Sequence, residues 1–204
     1  YDAGGDAVMT GNANVFIGKD SGRATTSGNE NVYVGNNTGE ANITGANNVG
    51  IGIDALAVDT KGFSGVAVGA FALTSQNFSS SNTDSFNTAV GINAGKFVTT
   101  SQNSTFIGAN AAKGITSAKL TGNSNTAVGT SAGLVLQGAA NSNTFLGFNS
   151  GVATTTGTGN SYLGTQAGDG SATGANNVAV GFHAGGGNHG NNNVFVGEGA
   201  AIAA

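Results

Sequence analysis

Short apolar triplets closed by a glycine recur along the whole chain, from Val15-Phe16-Ile17-Gly18 to Val194-Phe195-Val196-Gly197. Aligning on the closing residue gives Gly18, Gly35, Gly52, Gly69, Gly91, Gly108, Gly129, Gly147, Gly164, Gly181 and Gly197, at intervals of 17, 17, 17, 22, 17, 21, 18, 17, 17 and 16 residues. These eleven units, numbered here as coils 1 to 11, tile residues 1–204 as a single repeat domain and leave no room for a second one. Each triplet is too short for a helix, and no window sustains a 3.6-residue apolar period, so each triplet predicts a short strand.

The columns of the repeat differ in strictness. The position before the glycine is always a branched aliphatic: Ile17, Val34, Ile51, Val68, Val90, Ile107, Val128, Leu146, Leu163, Val180 and Val196. Two residues earlier stands a mostly β-branched column running from Val15 through Thr88, Thr105, Thr126 and Thr144 to Val194. Alternate strand positions share a face, so the expectation is that these two columns fill a narrow interior. The middle position varies between Gly or Ala and Phe or Tyr, which suits a second surface shared with another subunit.

Four residues before the glycine, nine coils carry asparagine: Asn14, Asn31, Asn48, Asn87, Asn125, Asn143, Asn160, Asn177 and Asn193, with Gly65 and Ser104 in the other two. Asparagine tolerates left-handed backbone and bonds to nearby backbone groups, so this column predicts a corner whose stacked amides satisfy one another. The invariant glycine predicts a second corner, where φ is positive or backbones approach closely. Three residues beyond it the side chain is always small, from Ser21 and Thr38 to Ala184 and Ala200.

Each unit thus reads as a strand, a tight corner, a short second strand around the small residue and a polar return, which in about 17 residues predicts an all-β fold, a β-solenoid whose coils stack by backbone hydrogen bonds. At a strand spacing of about 4.8 Å, eleven coils extend on the order of 50 Å. So slim a roll buries little apolar area alone, which makes side-by-side association of chains physically attractive.

Composition narrows the partners. Of 204 residues 37 are Gly, none is Pro or Cys, and 8% are charged, yet 38% are hydrophobic, enough material for a core. Without cysteine there are no disulfides or thiolate metal sites. A net charge of −4 with no basic patch argues against nucleic acid as a partner. The apolar runs are too short for membrane insertion. With Tyr1 first and no charged-then-apolar leader, the sequence reads as a mature or excised fragment. The C-terminal stretch 199–204 has no charged cap for an open coil edge, so the fibre is expected to continue into another segment or chain.

The unit Asn177-Val178-Ala179-Val180-Gly181-Phe182-His183-Ala184-Gly185, and Asn125 through Gly133 likewise, resembles the Ser/Asn-x-Ala-Ile/Val-Gly-x-x-Ala/Ser repeats in the heads of trimeric autotransporter adhesins. It is equally similar to the Asn-Thr-Ala-Ile/Val-Gly-x-x-Ala-Gly repeats of bacteriophage tail fibres. The match covers nearly all of the chain. It implies a left-handed parallel β-roll, three chains abreast as a homotrimer, forming a non-enzymatic attachment rod without cofactors. The rod would be extracellular, on a virion tail fibre or a bacterial cell surface, and would present loops or a tip to a host protein or glycan. The adhesin unit is typically shorter than this one, and no heptad stalk, anchor or chaperone segment is present; the longer unit favours the phage-type fibre, with the adhesin head as the alternative.

The two long intervals mark outward insertions at 74–86 and 113–123, since a solenoid accepts extra residues at its outer corners. Gln76, Asn77, Phe78, Lys113 and Lys119 are the candidate contact residues, with Phe78 read as an exposed anchor; the competing reading is a loop without function, or one packed on a neighbouring chain. Other motif matches carry less. Gly129-Thr130-Ser131-Ala132-Gly133 fits a nucleophile elbow, but Ser131 occupies a variable column and no helix follows. Gly185 to Gly190 fits a dinucleotide glycine pattern but leads into a strand. His183 and His189 could share a metal, though no carboxylate column accompanies them. Asp20, Asn37, Asp54, Asn93, Asn110 and Asn149, two past the glycine, read as a polar outer ladder in place of calcium ligands. An ice-binding solenoid would need threonines in one column, and the runs Thr25-Thr26 and Thr154-Thr155-Thr156 do not keep one. A polysaccharide-degrading β-helix would need clustered acids, and ten acidic residues scattered over eleven coils do not make a cluster.

Overall fold

The computed structural model describes residues 3–5, 8–187 and 189–201; the last three residues of the stretch read as uncapped lie outside that range. Its strands are β1 (Val15–Ile17), β2 (Val32–Val34), β3 (Val49–Ile51), β4 (Gly62–Phe63), β5 (Val66–Val68), β6 (Thr83–Asp84) and β7 (Thr88–Val90). There follow β8 (Thr105–Ile107), β9 (Thr126–Val128), β10 (Thr144–Leu146), β11 (Ser161–Leu163), β12 (Val178–Val180) and β13 (Val194–Val196). Eleven of them, all but β4 and β6, form one sheet in sequence order, each parallel to the next with equivalent residues in register. The chain is thus an all-β parallel solenoid of eleven coils, with no helix among the described residues.

The strand faces are the reverse of the sequence expectation. The middle residue of the triplet points inward: Tyr33, Phe106, Phe145, Tyr162 and the alanines 67, 89, 127 and 179 are buried, and Phe16 and Phe195 pack against the same core from the end coils. The flanking aliphatics point outward, with Ile17 57%, Ile107 40%, Leu163 46% and Val196 69% exposed. The physical reason lies across the coil. On the opposite wall the residue three past the glycine is small and fully buried in coils 1 to 10, as expected, from Ser21 to Ala184. A roll whose far wall is Ala, Ser or Thr has room for one aromatic ring per layer.

In coils 3, 4, 5 and 7, where the strand offers a small residue, the same coil buries a larger apolar side chain elsewhere. Gly50 is matched by Leu56, Ala67 by Leu73, Ala89 by Val98 and Ala127 by Leu136, all four partners buried. Where the strand offers a ring, the facing position is glycine or alanine: a Cβ on Gly151 would lie 2.8 Å from the Phe145 ring. Neighbouring rings stack along the axis, Phe16 on Tyr33 (centroids 5.5 Å apart) and Phe145 on Tyr162 (5.2 Å). In these coils a small strand residue and a ring are thus offset by complementary residues elsewhere in the coil.

Both corners are built as ladders. The residue before each Asn-column position takes the left-handed conformation, from Ala13 (φ 56) and Glu30 (φ 56) to Asn192 (φ 62). That corrects the expectation for the asparagines themselves, whose work is done by their side chains. Asn31 Nδ2 donates to Gly45 O (2.8 Å) within its own return segment, and Asn31 Oδ1 accepts the backbone N–H of Asn48 in the next coil (3.0 Å). The same pair of bonds recurs at Asn48, Asn143, Asn160 and Asn177. Asn14, Asn87 and Asn125 follow suit, and Asn193 Nδ2 donates to Asn177 Oδ1 (3.0 Å). The two exceptions stay in the ladder: Gly65 donates its N–H to Asn48 Oδ1 (2.8 Å), and Ser104 Oγ accepts from Asn125 N (3.1 Å).

The glycine column meets both expectations for a corner. Gly35 has φ 140, and a Cβ there would lie 2.6 Å from the carbonyl oxygen of Gly52 in the next coil, a clash with backbone that cannot move aside.

Candidate functional surfaces

Two residues past the glycine, every coil is again left-handed, from Asp20 (φ 53) to His183 (φ 55). This accounts for the Asp and Asn preference there, since these side chains tolerate that conformation. Neighbouring side chains also join across coils, the Asn37 amide Nδ2 donating to the Asp54 carboxylate Oδ1 (3.0 Å) and Asn93 Nδ2 to Asn110 Oδ1 (3.1 Å). Ser131, the residue of the elbow-like motif, sits in this same column (φ 57).

The insertions place their candidate residues unevenly. Gln76 is fully buried: its Nε2 donates to Asp59 Oδ2 (2.6 Å) and its Oε1 accepts from Asn87 Nδ2 (2.8 Å). Asn77 bonds to Thr60 Oγ1 (3.2 Å) and lies half-buried. Phe78 is buried, 6% exposed, with its N–H donating to Asp59 Oδ1 (3.1 Å); it anchors the loop to the core and cannot be an exposed contact. The ring that does stand in solvent is Phe86, at the far end of the same insertion and in a left-handed conformation (φ 47). Between them β6 pairs with β4, and Phe63, Asn82 and Asp84 border an open cleft of about 290 Å³. In the second insertion Ile115 and Ala118 form an antiparallel bridge and Leu120 returns to the core. Lys113 is half-buried and Lys119 exposed.

The histidines go separate ways. His183 Nε2 lies 3.2 Å from Asp169 Oδ2 of the preceding coil, while the His189 ring packs on Phe195 (4.3 Å between centroids). Among the described residues no group of three or more His, Asp or Glu side chains could hold a metal. Within the glycine-rich run 185–190, Asn188 lies outside the described residues.

Beside His183, a cleft of about 500 Å³ opens between coils 10 and 11, lined by Phe182, His183, Glu198 and Gly199. The Phe182 ring is 52% exposed and inclined at 43° to the His183 ring, 6.0 Å away. Nothing in the repeat pattern marks that two coils join here to make a hollow. The neighbouring-coil residue Glu198 carried no signal of it.

The outward strand face is the largest feature. Its two columns run the length of the sheet in register, branched aliphatic throughout in one and β-branched or Ser161 in the other. Four successive coils place Thr88, Thr105, Thr126 and Thr144 side by side on it. The threonines of the strand column therefore stand in one line, whereas Thr25 and Thr154 of the sequence runs are buried.

The fold and these surfaces define a parallel β-solenoid with an apolar outer sheet. Comparison with family models, with curated proteins and with solved structures found no match. No helix among the described residues is long and apolar enough to cross a membrane.

Proposed function

We propose that this chain is a rigid segment of an extracellular attachment fibre, a left-handed roll packed side by side as a homotrimer, of the kind found in phage tail fibres. The observation that carries this reading is the outward aliphatic ladder, in which Ile17, Ile51, Val90, Ile107, Leu146, Leu163 and Val196 all stand more than a third exposed in one line. A continuous apolar stripe of that length marks a surface meant to be covered, and a periodic stripe on a periodic rod is best covered by another rod of the same period. The paired expectation is a role in positioning a tip or presenting outer loops to a host protein or glycan; an adhesin head is the alternative setting for the same rod. Native mass spectrometry across a dilution series tests the association, and a single-chain mass at every concentration would remove it.

The threonine ladder favours one second reading, an ice-binding face, because four in-register hydroxyls stand beside a column of apolar groups on one sheet face. Thermal hysteresis in a nanolitre osmometer would support it, and unaltered ice growth at millimolar protein would dismiss it.

A further inference from the structure

We propose that the corner cleft between coils 10 and 11 binds an uncharged saccharide, with Phe182 as the stacking surface and Glu198 as the hydroxyl acceptor. This rests on the attachment-fibre reading and gives it a site and a ligand class.

The lining has the chemistry a pyranose needs. An exposed Phe182 ring offers an apolar face to the C–H side of a sugar, and the His183 ring beside it forms the second wall of a shallow V. His183 presents ring surface to the cleft, because Nε2 is taken by Asp169 and Nδ1 lies against Gly186, where a Cβ would meet it at 2.6 Å. The left-handed backbone at His183 holds this geometry at a position where most coils place Asn or Asp. Glu198 is exposed, so its carboxylate is open to sugar hydroxyls. A hollow of about 500 Å³ is in the size range of small-ligand sites.

Charge selects the class of sugar. Lys119 is the last basic residue of the Lys/Arg type in the sequence, so coils 7 to 11 carry none, while Asp169 and Glu198 are the acids of that stretch. An anionic sugar, bearing carboxylate, sulfate or phosphate, would find no cation to pair with and would face Glu198. The track continues along the axis: Phe148, 51% exposed, stands in the same column two coils back with Thr165 between. Two strand spacings separate the rings by about 9.6 Å, a reach that a short linear oligosaccharide covers.

Saturation-transfer NMR on the full chain tests the site with maltohexaose, cellohexaose and chitohexaose as neutral probes, and trigalacturonate and a heparin hexasaccharide as anionic ones. The expected result is binding of at least one neutral hexamer, weakened about tenfold by Phe182→Ala and also weakened by Glu198→Gln, with the thermal midpoint unchanged because both side chains are exposed. Phe148→Ala should weaken the hexamer and leave the corresponding disaccharide unaffected. Stronger binding of the anionic probes overturns the proposal, as does binding of tetramethylammonium without any saccharide, or no binding of any neutral probe. A neutral glycan bound equally by wild type and Phe182→Ala sinks this site while the fibre reading stands. Cleft binding retained by a chain that proves monomeric sinks the side-by-side association and leaves this site in place.

Discussion

Coils 2 to 4 and coils 5 to 7 close the same interior by opposite means. Seven residues past the glycine, the former bury Asn42, Asp59 and Gln76; the latter bury Val98, Leu120 (inserted in coil 6) and Leu136. In the polar stretch every group is matched: Asn42 bonds to Gly45 at both its N–H (2.9 Å) and its carbonyl (3.1 Å), and Asp59 accepts from Gly62 N (2.9 Å), Phe78 N and Gln76 Nε2. In the apolar stretch the same space is filled by side chains with no polar atoms. The backbone repeat thus sets only volume and direction for this column, and either a satisfied hydrogen-bond network or close packing completes it.

Substitutions that remove one solution without supplying the other sharpen the contrast. The largest effect is expected for Asp59→Ala, which leaves two backbone N–H groups and the Gln76 amide without acceptors at about 1–3 kcal/mol each; urea unfolding should show a loss of about 4 kcal/mol, and Asp59→Asn a smaller one. Leu136→Ala in the apolar stretch should cost about 3 kcal/mol through the cavity it leaves. Because coils interact with their neighbours, hydrogen exchange should accelerate around coil 7 for that variant and around coils 3 to 5 for the Asp59 one. Equal losses spread over the whole chain would contradict the coil-by-coil account. Asn143→Ala removes the acceptor for Asn160 N and the donor to Gly157 O, for about 2 kcal/mol.

A smaller effect is expected from pH. Burial, and then the negative charge of Asp59, raise the Tyr33 hydroxyl pKa well above its ordinary 10.0, and burial likewise raises that of Tyr162. Both folded-state values lie above the unfolded one, so the contribution is complete below pH 10 and is lost as pH rises beyond it, where the unfolded chain ionises and the folded one resists. The thermal midpoint should fall above pH 10, and Tyr33→Phe should flatten that fall; an unchanged slope would show that Tyr33 titrates freely. Ile107→Lys, on the outer ladder, should change single-chain stability least, by under about 0.5 kcal/mol, while weakening association.

The repeat made the coil, its corners and its small far wall legible, because backbone demands repeat without exception: a glycine where Gly35 meets Gly52, an amide where Asn31 bridges two coils. Inside and outside were read the wrong way round for a physical reason. Branched aliphatics suit a strand on either face, so the strict column before the glycine resembled a core. The true core column looked irregular because its partner lies elsewhere in the coil. Coil 3, with Gly50 on its strand, buries Leu56 six residues on, and coil 7, with Ala127, buries Leu136 nine residues on; the space beside Gly50 itself is taken by Thr38 and the Tyr33 ring of the preceding coil. Phe78 misled similarly, since a lone aromatic in a polar insertion reads as exposed until Asp59 is seen holding its backbone. The cleft at Phe182 needed two coils to exist at all.

The most direct test of the side-by-side fibre is the mass of the assembled particle, measured by light scattering coupled to size exclusion. The account predicts three times the 19.6 kDa chain, falling toward one chain when Ile107→Lys and Leu163→Lys are combined. A wild-type particle of one chain mass, with its aliphatic ladder in water, would contradict it.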